Sequence, residues 1–101
     1  MLRPKHPRVE DKAHLAFVRR HRCAICGTDQ NIEAAHLRVG SINHDKESAG
    51  MQMKSSDRWA VALCTKHHRE QHAAGNEIFW WASYGIDPFS LALSYGRERT
   101  E

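Results

Sequence analysis

Three cysteines cannot pair completely, so a disulfide framework is not the expected staple of this chain. No apolar run approaches the roughly 18 residues of a membrane span. The charged stretch Met1 to Val9 lacks the apolar region of a secretory signal. A cytoplasmic protein without membrane association is therefore expected. Internal repeats and low-complexity segments are missing as well. With 101 residues, 41% of them hydrophobic, and a mean hydropathy of -0.67, one globular domain is expected. A core that small usually needs reinforcement. The formal charge of +3 and pI near 9.0 favour a polyanionic partner only mildly.

What the chain does have is concentrated between Leu63 and His72, which reads L-C-T-K-H-H-R-E-Q-H. One of the three cysteines and three of the eight histidines fall there. Thr65 can cap a helix that Gly75 would stop. On that helix His68 and His72 share a face, while His67 points roughly 100° away from His68. Adjacent histidines thus serve two different places. Cys64 and His67 are expected to close a structural zinc site, with His68 and His72 holding a second, catalytic metal. The other half of the zinc site is Cys23-Ala24-Ile25-Cys26-Gly27, a knuckle whose glycine lets the backbone bend beneath two thiolates. A lone C-x-x-C also occurs in redox motifs. The second half, Cys64-x-x-His67, makes zinc the stronger reading.

Elsewhere the pattern predicts a helix over Asp11 to His21, with Ala13, Leu15, Ala16 and Val18 as its apolar positions. Arg19, Arg20, His21 and Arg22 suit its C-terminal end. Ile32 to Leu37 reads as a short strand ending near His36, followed by Arg38 as a candidate phosphate contact. Gly40 to Ser56 is a polar loop, long for a compact domain. It offers His44 and Asp45 as paper ligands and Lys54 as the better substrate contact. Asp57 to Leu63 is the second strand. Asn76 can cap a helix over Glu77 to Ser83, whose Ile78, Phe79, Trp80 and Trp81 are expected to serve the core rather than stack bases. Asp87-Pro88 opens a last helix through about Tyr95, with a frayed, charged tail beyond.

Spacing excludes several zinc enzymes. In H-E-x-x-H the glutamate directly follows the first histidine, whereas Glu70 comes two residues after His68. No P-C-x-x-C follows downstream, as a zinc deaminase would need. A C₂H₂ finger built from Cys23, Cys26, His68 and His72 would have far too long a gap and would strand Cys64.

The arrangement C-x-x-C, then A-H, then L-C-x-x-H-H-x-x-x-H resembles the HNH, or ββα-metal, endonucleases over roughly Cys23 to His72. The phrase K-S-S-D-R-W-A-V-A-L-C-T-K-H-H is similar to phage and prophage members, including the group related to the RecA-dependent Ref nuclease. The resemblance implies an α+β fold, a zinc-stapled, treble-clef-like ββα-metal core over about 23–75. An N-terminal helix precedes it and a helical extension over about 76–96 follows. His36 matches the general base, and His68 and His72 match ligands of the catalytic metal. Asp57 falls near the asparagine that orients the base. The implied activity is hydrolysis of DNA phosphodiester bonds with one Mg²⁺, Mn²⁺ or Ni²⁺ ion, giving 5′-phosphate and 3′-hydroxyl ends. DNA is the implied partner, with a homodimer or a recombination or phage protein as a further one. Two departures stand out: Ala35 replaces a residue that often binds metal, and His67 replaces the usual fourth cysteine. Two other classes of function fit the same residues. One is a zinc-stabilised nucleic-acid-binding module without chemistry, and the other an assembly factor docking through Phe79 to Trp81.

Overall fold

The computed structural model describes residues 10–40 and 56–100. His44, Asp45 and Lys54, the candidates from the polar loop, lie outside the described residues. Within them the chain is a small α+β fold, a two-stranded antiparallel sheet with four helices. The order is α1 (Lys12–Val18), β1 (Ile32–His36), a single 3-10 turn (Asp57–Trp59), β2 (Ala60–Cys64), α2 (Thr65–Ala73), α3 (Glu77–Ser83) and α4 (Pro88–Thr100). No helix there is long and apolar enough to cross a membrane.

The sheet follows from the contrast between its strands. Every residue of β2, A-V-A-L-C, is buried, as expected of a strand covered on both faces. β1 carries Glu33 and His36 among its alanines, and only Ala35 is fully buried. Pairing sets Ile32 opposite Cys64, Glu33 opposite Leu63 and His36 opposite Ala60. Register therefore fixes which chemical groups of β1 meet the start of α2. The second strand begins later than its sequence pattern suggests. Asp57 to Trp59 turn instead, with the Trp59 N–H on the Ser56 carbonyl at 3.0 Å, and Trp59 packs edge-on to Phe89.

α1 is shorter than expected. Asp11 caps it through an Oδ1 bond from the His14 N–H at 3.0 Å. After Val18 the Arg20 and His21 N–H groups turn back onto the Phe17 and Val18 carbonyls, so Arg19 to Arg22 lie beyond the helix. Its inward face is only partly the expected one. His14 and Val18, four apart, are buried, while Ala13 and Ala16 are exposed.

α4 is longer than expected, and the tail through Thr100 is helical. The reason is tertiary. Arg99 reaches the Asp11 Oδ2 at 2.8 Å, Glu98 meets the His21 Nε2 at 3.1 Å, and Tyr95 accepts the Ala62 N–H at 3.3 Å. Asp87 receives the N–H groups of Phe89 and Ser90 at its start, with Pro88 at the first helical position. The largest fully buried side chains are Trp81, Leu37, Leu63, Val18 and Val61. The aromatic run of α3 is divided by helical periodicity. Trp81 is core and Trp80 half-buried, but Phe79 is 73% and Ile78 56% exposed.

Candidate functional site

Three side-chain clusters gather around the sheet and α2. The first joins the two sequence half-sites. The Cys23 to Cys26 turn closes with the Gly27 N–H on the Cys23 carbonyl at 2.9 Å, and Gly27 takes φ +75, a conformation glycine adopts freely. The turn is hung on the sheet by the Ala24 N–H on the Ala62 carbonyl at 2.9 Å. Cys64 ends β2 as the N-cap of α2 in extended backbone, and its sulfur makes no capping bond. The sulfur thus faces the knuckle, and one helical turn brings His67 beside it.

One donor atom from each of Cys23, Cys26, Cys64 and His67 lies within 4.8 Å of all the others. His67 Nδ1 stands 3.3 Å from Cys64 Sγ and 3.8 Å from Cys23 Sγ, and the Cys26 and Cys64 sulfurs are 4.0 Å apart. Tetrahedral thiolates at the usual zinc distance stand about 3.8 Å apart. The donor set and its spacing fit a closed structural zinc site, held through the Nδ1 of His67. The backbone of the turn already favours charge on Cys23. Burial opposes ionisation of Cys23, but the N–H groups of Cys26, Cys64 and Ile25 hold its thiol down at about 6. Burial pushes Cys64 up, and its sulfur neighbours Cys23 and Cys26 reinforce the rise. Among the described residues this is the one group of three or more potential ligands gathered so closely.

The second cluster lies on another face of α2. His68 and His72 set their Nε2 atoms 3.1 Å apart. His68 Nδ1 meets Glu33 Oε1 at 2.6 Å, while Glu33 Oε2 accepts from the Thr65 hydroxyl at 2.8 Å. These bonds from His68 and Thr65 hold the Glu33 carboxyl below its ordinary range. Burial, then the nearby His68 and Arg38, lower the pKa of His72, with Glu77 opposing. Thr65 is the first helical residue and not the cap, which frees its hydroxyl for Glu33.

The third cluster is His36 with Asp57. His36 Nε2 bonds Asp57 Oδ1 at 2.8 Å. Asp57 is 2% exposed, and its other oxygen accepts the Asp11 N–H at 2.6 Å. The two expected partners are thus side by side, with the carboxylate anchored by the cap of α1. The His36 ring itself does not join the α2 pair. The connection runs through the backbone, with the Gln71 amide donating to the His36 carbonyl at 3.4 Å and to Glu77 at 2.7 Å. Glu77 also receives the Arg38 N–H at 3.1 Å. Arg38 is exposed at this end of β1, near enough to His72 to act on its charge.

Glu33 escaped the sequence reading. Its available signal was a single acidic residue inside an otherwise apolar strand, three residues before His36. Ala35 is wholly buried and supplies no donor.

A family model described as "Protein of unknown function (DUF968)" matches residues 1–94. The chain belongs to that family. No curated protein and no solved structure gives a significant match.

Proposed function

We propose that this DUF968 chain is a metal-dependent endonuclease of the HNH type, hydrolysing DNA phosphodiester bonds on a zinc-stapled ββα core. The observation that supports the reading is that the histidines of α2 are divided between two places. His67 turns Nδ1 toward three sulfurs, while His68 and His72 hold two nitrogens 3.1 Å apart elsewhere. A binding module needs the first arrangement for folding and has no evident use for the second.

In this reading His36 is the general base. Imidazole is close to matched to neutral pH for accepting a proton from water. Asp57 at Nε2 selects the tautomer with the proton on that nitrogen, leaving Nδ1 as the acceptor. Burial of Asp57 and its bond from the Asp11 backbone hold that orientation. Arg38, exposed at the strand end, suits a charge-assisted contact to phosphate, and Lys54 keeps the same assignment from sequence. His68 and His72 would hold the divalent cation, Mg²⁺, Mn²⁺ or Ni²⁺, which supplies charge relief on the phosphate and the departing oxygen. DNA is the partner in this reading, and a second copy or a recombination protein would extend a short binding surface.

The buried Ala35 favours a second reading, since it removes a ligand common in the family that the sequence resembles. On that reading the chain binds nucleic acid without cutting it. The deciding experiment is plasmid nicking with each of the three cations. His36→Ala and His68→Ala should each abolish nicking while zinc content and circular dichroism stay unchanged. A fully active His36→Ala variant removes the base assignment, and DNA binding without cleavage under every cation selects the binding module.

A further inference from the structure

The α2 histidine pair has a support that neither the family description nor the motif assigns. Glu33 is pinned at both oxygens, by His68 Nδ1 at 2.6 Å and the Thr65 hydroxyl at 2.8 Å. Its position opposite Leu63 is fixed by the hairpin register, so the carboxylate reaches α2 from a neighbouring strand and not from the same helix. A carboxylate accepting at Nδ1 keeps the imidazole proton on that nitrogen and leaves the Nε2 lone pair free. That free Nε2 is the atom facing His72 Nε2 at 3.1 Å. Two nitrogens at that separation, each about 2.1 Å from a shared ion, subtend about 95°, within the span of octahedral and tetrahedral geometry.

We propose that Glu33 is the positioning residue of the His68 and His72 pair, fixing His68 as an Nε2 ligand for a borderline transition cation such as Ni²⁺ or Co²⁺. This rests on the assignment of His68 and His72 as a metal-holding pair and adds what orients it. A carboxylate behind a ligating imidazole fixes the ring and raises its basicity, and its loss typically costs about 10- to 100-fold in metal affinity. Imidazole donors prefer such ions over Mg²⁺.

The test uses the full chain with its structural zinc in place, titrated with Ni²⁺ by calorimetry and with Co²⁺ by visible absorption. The wild type is expected to take up one further ion. Glu33→Gln should bind it about 10- to 100-fold more weakly with zinc content and melting temperature unchanged, and His72→Ala should remove the binding. Unaltered affinity in Glu33→Gln, with His72→Ala still abolishing it, overturns the role of Glu33 and leaves the pair intact. Unaltered affinity in His68→Ala and His72→Ala overturns the pair and the proposal together. A second measurement needs no variant. Ring nitrogen NMR of the zinc-loaded wild type should show His68 protonated at Nδ1, and protonation at Nε2 refutes the proposal.

Discussion

Removing zinc should unfold this chain and not merely soften it. The four donors come from three places, the Cys23 to Cys26 turn, the end of β2 and the first turn of α2. The knuckle is otherwise held by a few backbone bonds, among them Ala24 to Ala62, and by Ala24 and Ile25 packing on the core. Structural zinc contributes about 10–16 kcal/mol of apparent binding energy near neutral pH in small zinc domains. An entire domain of this size is stable by about 5–15 kcal/mol. The metal contribution is therefore comparable with the whole, and no buried hydrophobic contact here is on that scale. Elemental analysis should find one zinc per chain at the Cys₃His site. Chelation, or Cys64→Ser, should abolish cooperative melting and near-ultraviolet circular dichroism. The acid limit has a definite sign. Zinc requires ionised thiols, so its binding drives their pKa values down. The stabilisation is present at higher pH and is lost as pH falls and protons displace the ion. In the unfolded, metal-free chain the thiols are mostly protonated near neutral pH, so zinc uptake there should release protons. A chelated protein that still melts cooperatively at the same temperature would refute the reasoning.

Two further outcomes follow from the core. Burial, then the Arg99 charge, lowers the pKa of His14, and its Nε2 has no partner among the described residues. The unfolded chain therefore binds the extra proton, and stability should fall as pH drops from about 6.5 toward the lower folded value. His14→Leu should reduce that loss, measured by urea unfolding at pH 7 and pH 5.5 at equal zinc content, and an identical pH dependence would refute the assignment. Trp81→Ala should cost about 3–5 kcal/mol, whereas Phe79→Ala should stay within about 0.5 kcal/mol. Comparable destabilisation of the two in denaturant melts would contradict the division of α3.

The zinc donors were legible because their chemistry is carried by spacing. Cys-x-x-Cys and Cys-x-x-His each fit one turn of backbone, and the two halves needed only to meet. The α3 bounds and the Asn76 cap were legible for a similar local reason, with the Phe79 N–H on the Asn76 side chain at 3.1 Å. Glu33 was not, because its role depends on which residue of β2 it faces, and hairpin register is settled by long-range packing. The same holds for α4, whose last turn is held by Arg99 on Asp11, 88 positions away in sequence. α1 misled through its alanines. Helical periodicity was present, but the inward stripe was set by His14 and Val18 meeting the sheet, and a buried histidine carries no hydrophobic signature. The side-by-side placement of His36 and Asp57 rested on resemblance, and the structure adds the Asp11 N–H that anchors it.

One geometric fact ties these clusters together: β2 runs into α2 without a linker, with Cys64 as both last strand residue and helix cap. The azimuth of every imidazole on that helix is consequently dictated by a single covalent junction. Inserting one residue between Lys66 and His67 would swing all three rings by about 100°, pulling His67 out of the sulfur cage and His68 off Glu33 in one stroke. Drift at this seam is thus coupled, and neither the sulfur cage nor the Glu33 contact can be retuned by changing the length of the segment without disturbing the other.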